Sequence, residues 1–138
     1  MSARVIELTF PAHSRYLVLA RLSIAGIAPV ARLSEDVLAD LKLAVTEACA
    51  NAVRHAYGEH EEGPVRLRLT LDGSSLTIEV ADDGGGIGAS ATVPRTESSL
   101  PEAGMGLSII RAVVDELEIE SPPGGGTVVR LTKLLSAA

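Results

Sequence analysis

The sequence predicts an α+β fold, a two-layer sandwich in which a mostly antiparallel sheet of about five strands is covered on one face by three helices. Two kinds of segment predict it. Segments that alternate apolar and polar residues are typical of half-buried strands, and most of them are neighbours joined by short turns. Segments with apolar residues three and four positions apart are typical of amphipathic helices. Because neighbouring strands pair as hairpins, the helices must collect on one face of the sheet.

The N-terminal part predicts one strand followed by two helices. The strand is "RVIELTF" at 4–10, which is rich in residues that favour strands. A helix follows over 13–28, and Pro29 is expected to end it. The second helix is expected to begin after Ser34, a favoured N-cap residue, and to run to about Tyr57.

The second helix carries polar side chains beside its apolar stripe. The stripe consists of Leu38, Leu41, Val45, Ala48 and Ala52. Cys49, the only cysteine, lies in the same stretch and is expected to be a buried thiol. Glu47 and Asn51 border the stripe, and His55 follows one turn later. Because residues four apart on a helix are neighbours, Glu47 and Asn51 are expected to reach the same cleft.

The C-terminal part predicts two hairpins separated by a loop and a helix. The expected elements are strands 65–71 and 76–80 around "DGSS", a helix over 104–117, and strands 117–121 and 127–134 around "PPGGG". Between the hairpins, residues 89–103 are rich in Ser, Thr, Ala and Pro and lack periodicity. Such a long loop in a compact domain is usually functional.

Composition and charge exclude several classes of protein. A chain of 138 residues suffices for one domain, and 46% hydrophobic with 22% charged residues is the balance of a folded globule. A net charge of −6, no basic run and 2% aromatic residues argue against nucleic acid as a partner. The N-terminus lacks an apolar signal core, and no stretch approaches the roughly 20 apolar residues of a membrane span. No membrane association is expected, and the single cysteine fits the cytoplasm.

Common nucleotide and metal motifs fit the sequence poorly. Gly84, Gly86 and Ala89 spell a dinucleotide-binding pattern, but this pattern leads into a polar loop and not into a helix. A Walker A loop needs a Gly-Lys pair, which the chain lacks. The three histidines and one cysteine show no metal-ligand spacing. Any nucleotide must therefore bind through a different arrangement.

Several weak motifs form a specific set when their order is considered. An acid-x-x-x-Asn helix is followed by Asp-x-Gly-x-Gly at a strand end, a long loop, Gly-x-Gly opening a helix, and Gly-Thr opening the last strand. This order resembles the Bergerat ATP-binding fold of gyrases, a heat-shock chaperone family, histidine kinases and mismatch-repair ATPases, the GHKL superfamily. Within it, "TEACANAVRHAY" and "GMGLSII" are most similar to the stand-alone anti-sigma-factor serine/threonine kinases that regulate sporulation and stress sigma factors. The resemblance covers essentially the whole chain.

The resemblance implies ATP and Mg²⁺ as cofactors and assigns roles on the second helix. Asn51 is expected to coordinate Mg²⁺ through its amide oxygen, a hard ligand for a hard ion. Glu47, one turn earlier, is expected to be the general base. His55 either lies near the phosphates or simply finishes the helix.

The other implied positions surround the nucleotide. Asp82 ends a buried strand, where a carboxylate without a partner is costly, so the exocyclic amine of adenine is expected to satisfy it. The remaining positions are Gly84, Gly86 and Ile87 beneath the base, Thr127 acting through water, Arg95 in the loop, and Gly104, Met105, Gly106 and Leu107 at the start of the third helix. The free N–H groups of that helix start form an anion site for phosphates. Residues 88–103 are expected to close over the nucleotide as a lid.

The resemblance predicts that residues 1–138 form a single kinase domain that phosphorylates a serine of an anti-anti-sigma antagonist and sequesters a sigma factor. It also implies a homodimer, with Arg21 near the sigma-contact surface. The lid departs from the family, which often has a basic residue just before Gly-x-Gly where this chain has Pro101-Glu102-Ala103. Two alternatives therefore stay open: a nucleotide-gated binding module without kinase activity, and an interaction domain with a degenerate pocket.

Overall fold

A computed structural model of the chain describes residues 3–55, 63–84 and 104–135. Its elements are β1 (Arg4–Pro11), a 3-10 turn (Ser14–Tyr16), α1 (Leu17–Ala31), α2 (Glu35–His55), β2 (Pro64–Leu71), β3 (Ser75–Asp82), α3 (Gly104–Val113), β4 (Glu116–Glu120) and β5 (Thr127–Leu134). The five strands form one sheet in the order β1-β2-β3-β5-β4, and all neighbouring strands are antiparallel. The predicted α+β fold is confirmed.

One face of the sheet is packed and the other is open. In β2 and β3 every second side chain is buried: Val65, Leu67, Leu69 and Leu71, then Leu76, Ile78, Val80 and Asp82. The residues between them, including Arg66, Arg68 and Glu79, lie on the other face, because successive side chains of a strand point to opposite sides. The apolar alternation seen in the sequence therefore marks the face that the helices cover.

Helix α2 is the centre of the helical layer. It packs against the helices α1 and α3 and against the strands β2 and β3. Its predicted stripe is confirmed, since Leu41, Val45, Ala48 and Ala52 are buried and Leu38 packs against the core. Cys49 is a buried thiol as predicted, and its burial raises its pKa to about 12.

Helix α1 differs from its prediction at both ends. The segment opens with the 3-10 turn, and α1 continues through Pro29 to Ala31. The prediction that Pro29 ends the helix was wrong, because a proline in the last turn removes one N–H donor there and the next residues still close the helix. Arg32 adopts the left-handed conformation, and the N–H of Leu33 donates to the carbonyl oxygen of Ala28 at 3.0 Å. This arrangement satisfies carbonyl groups at the helix end.

The start of α2 is as predicted, whereas the end of α3 is not. The Ser34 hydroxyl accepts a hydrogen bond from the N–H of Val37 at 3.2 Å, as an N-cap should.

Helix α3 begins at Gly104 but ends at Val113, so the predicted helix to 117 was too long. Leu117 instead belongs to β4 and packs against the core from there. Its spacing fits either periodicity, and pairing with β5 decided the outcome. The predicted end of α2 near Tyr57 lies outside the described residues.

The segment Ser14–Ala31 is long and apolar enough to cross a membrane by length and composition alone. Its 18 residues have a mean hydropathy of 1.2, and 22% of them are buried. The segment contains Arg15 and Arg21, so it is still not a run of roughly 20 apolar residues. Its buried residues are Ala20, Ile24, Ile27 and Ala28. A single helix of this kind is weak evidence for a span, since the core helix of a soluble protein passes the same test.

Candidate functional site

Asp82 is the one buried charged residue in the part of the chain that the structure describes. It ends β3 with 7% of its surface exposed and lies on the face that the helices cover. Its Oδ1 atom accepts a hydrogen bond from the N–H of Gly84 at 3.1 Å, and the backbone of Thr127 bonds to the carboxylate as well. Burial raises its pKa to about 6, and these two hydrogen bonds and Arg66 oppose that rise. Such a carboxylate can still accept a hydrogen bond from a ligand.

The last strand places Thr127 beside Asp82. The two residues are register partners in the β3 and β5 pair. Gly126 precedes Thr127 with a φ of +88°, a conformation that residues with side chains rarely adopt. A Cβ atom at this position would collide with the carbonyl oxygen of Asp82. The "GGGT" sequence thus includes a glycine that the close approach of the two strands requires, which the sequence analysis did not identify.

Glu47 and Asn51 are both partly exposed on α2, one turn apart. The Oδ1 atom of Asn51 accepts a hydrogen bond from Nη2 of Arg54 at 2.7 Å. The sequence analysis did not single out Arg54, although its position three residues after Asn51 is the spacing at which side chains on a helix meet. An amide oxygen has two lone pairs, so Asn51 can bond to Arg54 and still accept a second partner.

The start of α3 supplies backbone groups. Gly104, Met105 and Gly106 form its first residues as predicted, and the first N–H groups of a helix have no partner within it. The side chain of Leu107 is buried and packs in the core, so only its backbone N–H could bind an anion. Gly86, Ile87 and Arg95 lie outside the described residues, as does the side chain of His55.

The predicted positions that the structure describes are distributed over neighbouring elements. Asp82 and Thr127 are adjacent in the sheet, and Glu47 and Asn51 are on α2, which packs on β3 on one side and on α3 on another. Within residues 3–55, 63–84 and 104–135, no group of three or more His, Cys, Asp or Glu residues is placed to hold a metal.

The residue after Asp82 faces the opposite side of the sheet. The Asp83 carboxylate receives two hydrogen bonds from the Arg66 guanidinium, at 2.7 and 2.8 Å. Arg66 holds the pKa of Asp83 below its usual value, whereas burial raises the pKa of Asp82. The pKa values of these two adjacent carboxylates are therefore shifted in opposite directions, because one is buried on the covered face and the other is paired with Arg66 on the open face.

A family model describing a histidine kinase-like ATPase domain matches residues 10–133 of the chain. The chain therefore belongs to that family, and its α+β architecture fits the family's fold.

The chain is also similar in sequence to particular proteins over almost its whole length. The chain is 37% identical over 137 residues to an anti-sigma F factor of Thermoanaerobacter pseudethanolicus, covering 96% of this chain and 95% of that protein. It is 34% identical over 143 residues to the serine-protein kinase RsbW of Bacillus subtilis, covering 98% and 88%. Within the family, the chain thus groups with the anti-sigma-factor serine kinases, and the predicted ATP-dependent protein serine kinase is confirmed.

Solved structures show the same fold. A crystal structure of the RsbU and RsbW domains of a Mycobacterium tuberculosis protein has a TM-score of 0.71 at 22% identity, covering 98% of this chain and 34% of that one. A histidine kinase domain from Erythrobacter litoralis has a TM-score of 0.58 at 24% identity, covering 91% and 62%. At these identities the likeness concerns the fold alone.

Proposed function

We propose that this chain transfers the γ-phosphoryl group of ATP, bound with Mg²⁺, to a serine of an anti-anti-sigma antagonist protein, and that it binds a sigma factor when the antagonist is inactive. The observation that carries the proposal is the buried carboxylate of Asp82, opposite Thr127 at the end of β3. A buried carboxylate persists only where something compensates its burial. The exocyclic amine of adenine would provide a donor there.

Base recognition would depend on Asp82. Its carboxylate accepts a hydrogen bond from the amine more strongly when it is ionised, and a pKa of about 6 leaves it mostly ionised at neutral pH. Gly126 supports this role, because it lets β5 approach the Asp82 backbone closely enough to place Thr127 beside the carboxylate. Gly84 supports it as well, because its N–H holds one carboxylate oxygen in place.

Phosphate binding would combine helix α3 with the polar side of α2. The N–H groups at the start of α3 favour anions through their unsatisfied hydrogen bonds and the helix dipole. Asn51 offers an amide oxygen that fits Mg²⁺, and the bound ion would neutralise charge on the phosphates. Arg54, held against Asn51, adds a fixed positive charge next to this position. That charge is relevant because the chain has Pro101-Glu102-Ala103 just before Gly104, where the family often has a basic residue.

Glu47 would act as the general base. It lies one turn before Asn51 on α2 and is partly exposed, so its carboxylate can reach a group that enters the same cleft. It would accept the proton of the incoming serine hydroxyl as that oxygen attacks the γ-phosphorus. The role needs a carboxylate that is ionised and not tied up in a strong ion pair.

The partner proteins are inferred from relatives. Proteins named anti-sigma F factor and serine-protein kinase RsbW align with almost the whole chain. Helix α1 presents Val18, Arg21 and Leu22 to solvent, which makes it the proposed contact for a sigma factor. The active form is proposed to be a homodimer in the cytoplasm.

The test is phosphoryl transfer from labelled ATP to a purified antagonist domain. Glu47→Gln is expected to lower the transfer rate by about 100-fold or more, the usual contribution of a general base, while ATP affinity stays within about twofold. Glu116→Gln serves as the matched control, since Glu116 lies on β4 at the open face. Full transfer by Glu47→Gln would remove Glu47 from its role, and unchanged ATP affinity in Asp82→Ala would remove the adenine site.

A further inference from the structure

The strand end that carries Asp82 is held by a second contact on the opposite face of the sheet. Arg66 of β2 bonds to both carboxylate oxygens of Asp83 through its two terminal nitrogens. Arg66 is the register partner of Ala81, so it reaches diagonally to the residue two positions further along the neighbouring chain segment. A guanidinium bonded to both carboxylate oxygens has a defined geometry that a single ammonium contact lacks.

This contact completes the restraints on residues 82–84. Pairing with Val65 and Thr127 fixes the Asp82 backbone between two strands. The Gly84 N–H fixes one oxygen of the Asp82 carboxylate. Asp83 lies between these two points, and Arg66 holds its side chain on the open face. The direction of the Asp82 side chain thus depends on a backbone held on both sides of the sheet.

Arg66 also acts on Asp82 through charge. Burial and the two backbone hydrogen bonds have the largest effects on the pKa of Asp82. Among the smaller effects, the negative charge of Asp83 raises this pKa and the positive charge of Arg66 lowers it. The register partners Val65 and Thr127 have no ionisable side chains, and Glu47 is the carboxylate that the proposed site would bring from α2. Loss of Arg66 would remove that opposing positive charge.

We infer that Arg66 is a positioning residue for adenine recognition: by binding Asp83 on the open face, it orients the Asp82 carboxylate and keeps the adjacent negative charge from opposing its ionisation. The inference rests on the proposed role of Asp82. Arg66 itself does not touch the base, since it lies on the face opposite to Asp82. As a surface ion pair, 46% and 57% exposed, the contact contributes little to folding, so its main effect should appear in ligand binding.

The experiment measures the affinity of the full chain for ATP and for inosine triphosphate, which has a carbonyl oxygen in place of the exocyclic amine. Arg66→Gln is expected to weaken ATP binding about 2- to 6-fold near pH 6, the drop in the ionised fraction of Asp82 if its pKa rises from about 6 by about half to one unit. The loss should shrink near pH 8, where Asp82 is ionised in both proteins. Binding of inosine triphosphate should change less, so the preference for ATP falls.

Two further variants separate this role from a general structural one. Arg68→Gln is the matched control, because Arg68 lies on the same strand and face and pairs with Glu7 and Glu79, away from Asp82. It is expected to bind both nucleotides like the unmodified chain. Arg66→Lys keeps the charge and loses the two-oxygen geometry, so it should recover part of the ATP preference. Urea denaturation of each variant verifies that it is folded.

The outcomes distinguish this inference from the proposed function. Loss of ATP preference in both Asp82→Ala and Arg66→Gln supports both. Loss in Asp82→Ala with no change in Arg66→Gln, at either pH, overturns the inference and leaves the adenine site intact. Unchanged preference in Asp82→Ala contradicts the proposed function itself. A loss in Arg66→Gln that is equal for both nucleotides and at both pH values also overturns the inference, because it would reflect a general change in the pocket.

Discussion

Charged side chains have different partners on the two faces of the sheet. On the covered face, the one buried charged side chain among the described residues is Asp82, and its recorded hydrogen bonds come from backbone groups. On the open face, arginines alternate with carboxylates: Arg68 bonds to Glu7, and Arg130 bonds to Glu79, Glu118 and Glu120. Charges on the open face neutralise one another, whereas Asp82 is kept at a cost to stability. Its burial and its raised pKa make Asp82 a candidate ligand-binding residue.

The largest expected effect tests the packing difference between the faces. Leu131→Ala removes a fully buried side chain from β5 and should lower the free energy of unfolding by about 2–5 kcal/mol, from lost burial and the cavity left behind. Thr132→Ala is the matched control, because Thr132 is the adjacent residue and lies on the open face. It should change the free energy of unfolding by less than about 1 kcal/mol. Urea denaturation of both measures the difference. Equal losses would contradict the assignment of the covered face.

The next effect concerns Asp82. Its pKa is about 6 in the folded chain and 3.8 in the reference state, so the folded state binds the proton more tightly and stability falls as pH rises from about 4 to 6. An asparagine at this position has no charge to bury, so Asp82→Asn avoids the loss of stability that accompanies ionisation. The variant should therefore have a free energy of unfolding about 1–3 kcal/mol higher at pH 7. ATP affinity should fall in the same variant. Unfolding measured between pH 4 and pH 8 verifies the prediction.

Asp83→Asn provides the control with the opposite sign. Arg66 lowers the pKa of Asp83, so its contribution to stability is present above the unfolded value and is lost as pH falls through the lower folded value. Replacing it should slightly destabilise the chain at pH 7. If both replacements changed stability in the same direction, the contrast between the two faces would fail at this strand end.

The smallest effect tests the ion pairs of the open face. Arg130→Gln breaks contacts with three glutamates, but these partners are partly or largely exposed, so the loss should be at most about 1 kcal/mol. The loss should shrink further in about 1 M salt, where charges separated by more than a few ångströms are screened. Thermal unfolding at low and high salt measures it. A loss as large as that of Leu131→Ala would show that this face is packed and not merely solvated.

Much of the fold could be predicted from local pattern. The β2 and β3 hairpin follows from two alternating segments around a turn, and the N-cap of α2 follows from Ser34. Predictions failed where one local signal had two outcomes. Pro29 can stop a helix or lie in its last turn, and Leu117 fits both a helical and a strand pattern. For Leu117, pairing with β5 decided the outcome. For Pro29, the helix continued because a proline in the last turn removes only one N–H donor.

The candidate site was predicted as a set of residue types rather than as a geometry. The order of motifs grouped Asp82, Thr127, Glu47 and Asn51 as candidate site residues. It could not identify Arg54 or Gly126, because the importance of each depends on a neighbour: Arg54 on the Asn51 oxygen, and Gly126 on the carbonyl of Asp82.

By itself, the sequence determined the class of fold and the kinds of group available for ATP chemistry, because periodicity and motif order are properties of the chain alone. The tertiary structure decided the strand order β1-β2-β3-β5-β4 and the register that pairs Asp82 with Thr127. It also decided that two adjacent aspartates face different surroundings, one buried and one bound to Arg66. The physical reason is that burial and charge pairing depend on residues distant in sequence, which only folding brings together.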